Sequence, residues 1–231
     1  MSLIADHLQA VRQRIDRAAQ ACGRDPAAVT LMAVSKTFDA DAVQAAIDAG
    51  HTVFGESYVQ EAIAKMEALQ AARGSLAWHF IGPLQSNKAR QVAEHMDWVH
   101  SIDRLKIAQR LSDLRPEGLA PLQVCLQVNL DNEATKSGVA PHDVLPLAHA
   151  VHGLPRLQLR GLMAIPAPSD DPAVQRAAFA RLAALQQQLQ DARLPVDTLS
   201  MGMSDDLEAA VAEGATIVRV GTAIFGNRAD A

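Results

Sequence analysis

Leu31-Met32-Ala33-Val34-Ser35-Lys36-Thr37 decides how this chain folds. Four apolar residues and a serine run into a single lysine, without the polar alternation of a half-exposed strand. So short an apolar run reads as a strand buried on both faces, the kind found in parallel sheets. Lys36 then stands where that strand ends. An amine held near an apolar interior loses hydration, its pKa falls, and it becomes a nucleophile toward aldehydes. The plainer alternative is a lysine that reaches past the strand end into water, as most lysines do.

Outward from this strand one pattern repeats. Short apolar runs at 52–55, 78–81, 98–102, 122–129, 159–163, 198–201 and 216–220 read as strands. Helical segments follow at 39–49, from 56, at 85–95, 103–114, 141–151, from 172 and at 205–213. Expected helix starts are Ser57 with Gln60 as a capping box, Asp103, Asp171 ahead of Pro172, and Ser204. The long helix after Asp171 carries a stripe at Val174, Ala178, Leu182, Leu185 and Leu189. Ahead of the first strand, Ile4, Leu8, Val11, Ile15, Ala18 and Cys22 form one apolar face of a further helix, capped by Ser2 and stopped by Gly23. On that stripe Cys22 reads as core.

Alternation of strand and helix without a composition shift is the signature of a parallel α/β architecture. The expected fold is one (β/α)8 barrel of the TIM type over residues 1–231, with an extra N-terminal helix. The tail after Gly221 is too short for a full eighth helix, and the N-terminal helix is expected to cover the face left open. A doubly wound open sheet is the runner-up, but no G-x-G-x-x-G follows the first strand.

Composition narrows the function. Hydrophobic residues make up 49% of the chain and aromatic ones 3%, so the core is aliphatic. A formal net charge of −5 with no basic run argues against nucleic acid. The two cysteines, Cys22 and Cys125, lack metal-site spacing and suggest no disulfide framework. No segment approaches a membrane span, and the start of the chain lacks an apolar leader pattern. A cytoplasmic protein is expected. No helix carries a second apolar stripe, so a monomer is expected as well.

In a barrel the loops after the strands form the functional face. Lys36, Glu56, Gly82, Ser101, Asn129, Met163, Met201 and Gly221 stand there. The loops at 199–204 and 221–226 carry the Gly, Ser and Thr residues of an anion cradle, although ordinary turns use the same residues. Asp205 and Asp206 disfavour an anion at the first loop, so the second is the better candidate. Arg219 interrupts the apolar run Ile217-Val218-Arg219-Val220, and a buried guanidinium needs an acceptor, either a carboxylate or a ring nitrogen. An aldehyde-trapping lysine, a phosphate cradle and a ring-nitrogen partner together describe a pyridoxal 5′-phosphate site.

Several motifs resemble the YggS/PROSC family of pyridoxal phosphate homeostasis proteins. They are Ala33-Val34-Ser35-Lys36-Thr37, Phe54-Gly55-Glu56, Tyr58-Val59-Gln60-Glu61, the run from Trp78 to Lys88, Arg160-Gly161-Leu162-Met163, the run from Leu199 to Asp206, and the run from Arg219 to Gly226. The resemblance covers about residues 30 to 228. It implies a barrel like the N-terminal domain of alanine racemase, with pyridoxal phosphate held as a Schiff base on Lys36. It further implies Arg219 at the pyridine nitrogen and Ser200, Gly221 and Thr222 at the phosphate. Ser57, His79 and Met201 complete the candidate cofactor-binding set. Ser57 stands where the family usually has asparagine, so a ring contact made by the longer amide is not carried over.

The resemblance implies a carrier or regulator of the cofactor, with pyridoxal-phosphate-requiring client enzymes as partners. Racemization in the related enzymes needs a tyrosine from an added β domain, and the single tyrosine here, Tyr58, opens the second helix as a packing or rim residue. The alternatives are an amino-acid racemase or decarboxylase using the same lysine, and a Schiff-base aldolase with Glu56 as proton shuttle. His142, His149 and His152 on one helix read as surface rather than metal ligands, His79 as a hydrogen-bonded core or supporting residue, and Cys125 as apolar filler. Lys136, in the polar loop after the fifth strand, reads as solvated or as a guide for an anion.

Overall fold

The computed structural model describes residues 2–131 and 137–226; Lys136 lies outside them. Eight parallel strands close into a barrel in sequence order, with the last beside the first. They are β1 Thr30–Val34, β2 Val53–Glu56, β3 Ala77–Phe80, β4 Trp98–Ile102, β5 Leu122–Gln127, β6 Leu157–Met163, β7 Thr198–Ser200 and β8 Ile217–Val220. Around them lie α1 Leu3–Ala21, α2 Ala40–Asp48, α3 Val59–Ala68, α4 Ala89–His95, α5 Leu105–Leu114, α6 Val144–His152, α7 Pro172–Asp191, α8 Leu207–Ala212 and α9 Thr222–Phe225. Closure leaves no unpaired strand edge, and helices cover the outer face, which is why the strands read as apolar runs.

The two faces of each strand do different work. Phe54, Trp78 and Phe80 belong to the continuous apolar layer between barrel and helices. Their strand neighbours Gly55 and His79 lie on the opposite, inner face, because side chains alternate along a strand. The inner face carries the polar exceptions, His79, His100, Ser200 and Arg219, all buried. Continuing that alternation upward from Met32 brings Val34 and then Lys36 to the mouth, and upward from Arg219 it brings Gly221.

Helix α1 begins as its sequence suggests. The Ser2 side chain accepts from the Ala5 amide at 3.3 Å, and Leu8, Val11, Ile15 and Ala19 are buried. Burying each of the three larger side chains contributes about 1.5–3 kcal/mol. The helix packs on α2, α8 and α9, so it covers the side of the barrel that the single turn of α9 leaves open.

Helix ends depart from expectation more than helix bodies do. Ser57 and Gln60 form no capping box: α3 starts at Val59 after Tyr58, and Gln60 bonds Gln91 instead. Asp103 does not cap α5; it pairs with Arg104, and the helix starts at Leu105. Ser204 caps nothing, because α8 starts at Leu207 and the Asp206 carboxylate holds the Met203 amide at 2.6 Å. In each case the helix starts later than local sequence signals suggest, and Ser57 and Ser204 line the cavity at the mouth instead. Asp171 does cap α7, accepting from Ala173 ahead of Pro172.

The stripe of α7 turns relative to expectation. Val174 is exposed and Leu185 half-buried, while Phe179 and Gln186 are buried. Cys22 is exposed rather than core: it is the residue past the end of α1, and its thiol donates to the Ala18 and Ala19 carbonyls. Cys125 is buried, as expected of a filler. Residues 141–143 form a 3-10 turn before α6. Strand β5 ends at Gln127, and beyond it Val128 makes a single bridge with Val139. Among the described residues no helix is long and apolar enough to cross a membrane.

Candidate functional site

A cavity of about 520 Å³ opens at the carboxyl ends of the strands. Lys36, Ser57, Arg219, Gly221 and Thr222 line it, together with Val34, Phe38, Ile81 and Ile165. Five of the eight candidates from sequence therefore share one cavity. The other three do not line it: His79 and Ser200 are buried on the inner face of the barrel, and Met201 is buried in the apolar layer.

Lys36 sits in a tight turn in which the Phe38 amide donates to the Ser35 carbonyl at 3.1 Å. The next residue, Thr37, has φ +72. A β-branched residue in the left-handed region costs on the order of 1–3 kcal/mol, so the surroundings must hold it. They do so through a buried charge cluster. The Thr37 amide donates to Glu61 Oε1 at 2.6 Å. The ammonium of Lys65 donates to Glu61 Oε1 at 2.6 Å, to Glu56 Oε1 at 2.8 Å and to the Ser35 carbonyl at 2.6 Å, which uses all three of its hydrogens. Ser35 Oγ donates to Glu56 Oε1 at 2.6 Å. Both residues preceding and following Lys36 are thus tied to α3 through Lys65 and Glu61.

Glu56 is fully buried. Burial pushes its carboxyl above the ordinary glutamate range, and the Lys65 ammonium and the hydrogen bonds from Lys65 and Ser35 pull it back in part. It is not among the residues lining the cavity. Its side chain is committed to bracing the Lys36 turn, so the proton-shuttle role expected of it in an aldolase has no geometric support.

Arg219 is held from one side. Its Nη1 donates to the Ser200 carbonyl at 2.6 Å and to Ser200 Oγ at 2.8 Å, and Nη2 donates to the Ala164 carbonyl at 2.9 Å. Burial lowers its pKa to about 10, with Asp206 nearby opposing that change, so it stays charged at neutral pH. Among the described residues no carboxylate hydrogen-bonds with it, unlike the plainer alternative read from sequence. Ser200 Oγ also lies 2.7 Å from His100 Nδ1, and His100 Nε2 lies 2.9 Å from His79 Nδ1. His79 stacks on Trp98 with ring centroids 5.1 Å apart. Burial pushes His79 down to about 3 and His100 well below the ordinary histidine value, the latter also repelled by His79 and Arg219.

Two close approaches shape the cavity wall. A Cβ at Gly221 would stand 3.1 Å from the Val34 carbonyl, so glycine lets the loop lie against β1. Thr222 then opens α9, whose first amides have no intrahelical partner. Across the cavity, a Cβ at Gly82 would lie 2.4 Å from the Ser57 carbonyl, so the loop after β3 seats Ser57 at the wall.

Several residues of the site escape a reading from sequence. Ser204 lines the cavity, and so does Arg14 of α1. Arg14 forks onto Glu208 at 2.8 and 2.9 Å and donates to the Ser204 carbonyl at 2.9 Å. On the same helix, His7 Nδ1 lies 2.9 Å from the Ile224 carbonyl in α9. Lys65, Glu61 and His100 support the site without lining it. Their only local signal is the i,i+4 spacing of Glu61 and Lys65, which usually marks a solvated helix face. His142, His149 and His152 are exposed, and no group of three or more His, Cys, Asp or Glu side chains gathers as a metal site among the described residues. Tyr58 is 55% exposed at the rim.

Comparison with known proteins gives this geometry a family. A model described as alanine racemase, N-terminal domain, matches residues 7–229. A Pseudomonas aeruginosa protein named pyridoxal phosphate homeostasis protein is 62% identical over 228 residues, which covers 99% of this chain and 97% of that protein. An Escherichia coli protein of the same name is 53% identical over 229 residues, covering 99% and 98%. Among solved structures, PipY of Synechococcus elongatus with pyridoxal phosphate bound superposes with a TM-score of 0.85 at 40% identity, over 96% of this chain and all of that one. Identity at this level, along nearly the full length of both chains and on the same closed barrel, makes this chain a member of the pyridoxal phosphate homeostasis protein family, built on the alanine racemase N-terminal fold.

Proposed function

We propose that this chain binds pyridoxal 5′-phosphate covalently through Lys36 and serves its homeostasis as a carrier rather than as an amino-acid enzyme. The observation that carries the reading is that Lys36 and Arg219 stand in the wall of one cavity of about 520 Å³, with the Gly221-Thr222 turn in the same wall. Those residues fit the group. The amine reacts with an aldehyde, the guanidinium donates to a ring nitrogen, and the glycine turn with the first amides of α9 receives a phosphate. When bound, the cofactor supplies an electron-withdrawing ring. Arg219 keeps that ring's nitrogen unprotonated, which makes it a weaker electron sink than one paired with a carboxylic acid.

The site residues divide by task. Lys36 forms the covalent bond, Arg219 orients the ring, and Gly221, Thr222 and Ser204 face the phosphate. Ser57 stands at the wall beside the ring. Ser200 and His79 support Arg219 from below rather than touching the ligand, and Met201 packs in the apolar layer beside Ser200. Two second-base candidates are weak: Tyr58 is at the exposed rim, and among the described residues Lys36 is the one lysine lining the cavity. The names of the relatives favour the same reading. Cytoplasmic placement, a monomeric state and hand-over of the cofactor to pyridoxal-phosphate-requiring enzymes belong to this proposal.

Titration of the protein with pyridoxal phosphate, followed by gel filtration, tests it. One equivalent of visible chromophore should remain with the protein and should be lost in Lys36→Ala, while racemase and decarboxylase assays on amino acids show no Lys36-dependent turnover. Turnover that disappears with Lys36 would replace the carrier by an enzyme.

A further inference from the structure

We infer that His100 is a positioning residue of the cofactor site, acting through Ser200 on Arg219 along a hydrogen-bond chain that runs in one direction. This rests on the pyridoxal phosphate reading for its consequence but not for its geometry. The chain crosses the barrel interior from β8 through β7 and β4 to β3: Arg219 Nη1 to Ser200 Oγ at 2.8 Å, Ser200 Oγ to His100 Nδ1 at 2.7 Å, His100 Nε2 to His79 Nδ1 at 2.9 Å.

Its direction follows from the donor inventory. A guanidinium only donates, so Ser200 Oγ accepts from Arg219. The serine then has one hydrogen to place, and the ring nitrogen of His100 is the acceptor within reach. His100 therefore carries its own hydrogen on Nε2 and donates it to His79 Nδ1, which leaves the hydrogen of His79 on Nε2. Reversing the chain would make Ser200 Oγ accept from both neighbours and strand its hydrogen in a fully buried site. Neutral imidazoles are required throughout, and burial of both rings enforces them.

The chain fixes how Arg219 presents itself. Three of its five N–H groups are committed to Ser200 and Ala164, two of them to Ser200 alone. One hydrogen on Nη2 and that on Nε remain for the cavity. With Ser200 anchored by His100, the guanidinium cannot turn, and its free edge keeps one aim.

Two measurements test this. In the cofactor-free protein, nitrogen-15 NMR of the histidine rings should find both His100 and His79 as Nε2–H tautomers; an Nδ1–H tautomer at His100 would overturn the inference without reference to any ligand. Next, His100→Phe removes the acceptor at similar bulk, and His100→Asn restores an amide oxygen near the place of Nδ1. Pyridoxal phosphate should bind roughly tenfold more weakly to His100→Phe, the worth of about one hydrogen bond, with a shifted visible band. His100→Asn should recover most of both, even where the two variants melt alike. Wild-type affinity and spectrum in folded His100→Phe would refute the inference and leave the cofactor reading intact. Should His100→Phe fail to fold, the tautomers and His100→Asn still decide, since an Asn variant without recovery of affinity and spectrum counts against the chain. A wild-type protein that takes up no pyridoxal phosphate would sink the cofactor reading instead.

Discussion

Replacing Lys65 with methionine keeps the length and apolar stem of the side chain and removes the ammonium. In the native protein that ammonium is 4% exposed and lies 2.8 Å from Glu56, which is fully buried. Without it, Glu56 keeps the Ser35 hydroxyl but faces the full desolvation of its charge. It escapes by taking a proton. At pH 7 that protonation costs about 1.4 kcal/mol for each pH unit above the ordinary value of 4.5, about 3.4 kcal/mol in all, less the part wild type already bears through its raised carboxyl. Loss of the bond to the Ser35 carbonyl adds to this, and the cost of breaking a buried pair is about 3–5 kcal/mol by comparison. Glu61, 30% exposed, can rehydrate and adds little. Lys65→Met should therefore lower stability by about 3–4 kcal/mol at pH 7.

The sign with pH is fixed by the raised carboxyl. A carboxyl neutral in the fold favours folding at low pH, so the gap to wild type should shrink as pH falls toward 4.5 and grow as pH rises. Urea unfolding at pH 5, 6 and 7 measures this. The double variant Lys65→Met with Glu56→Gln should be less destabilised than Lys65→Met alone, because no charge is left buried. A gap under about 1 kcal/mol at pH 7, or one that does not change with pH, would refute the reasoning.

Gly161→Ala should cost about 3 kcal/mol or more in urea unfolding, since its Cβ would stand 1.9 Å from the Thr198 carbonyl at φ +157. Buried His51, held down to about 4 by desolvation, stays neutral in the fold while the unfolded chain takes a proton below about 6.5. Its contribution is present above that pH and lost between 6.5 and about 4, about 3 kcal/mol, so His51→Gln should flatten the fall in stability measured by urea melts across that window. Arg14→Ala should weaken pyridoxal phosphate binding several-fold in equilibrium titrations, by releasing the Ser204 carbonyl and removing a cation from the cavity wall.

The barrel is legible in the sequence because each buried strand is a short apolar run and each helix a periodic stripe. Three helix starts are not, since Ser57, Asp103 and Ser204 are good capping residues that cap no helix here, whereas Ser2 and Asp171 cap as read. Lys36 and Arg219 announce themselves as charges attached to apolar strands. Lys65 does not: next to Glu61 at helical spacing it reads as surface, and its burial depends on Glu56 of β2 and Ser35 just past β1. Ser200 shows a hydroxyl to the reader but not its direction, which His100, a hundred residues earlier in the chain, determines. Distant partners of this kind leave no local pattern.

The most direct measurement of the central claim is borohydride reduction of the protein loaded with pyridoxal phosphate, followed by peptide mass mapping. A pyridoxyl group found on the peptide carrying Lys36, with loss of the visible band, is the predicted result. A colourless protein that stays unmodified, or a pyridoxyl group on another lysine of wild type, would contradict it.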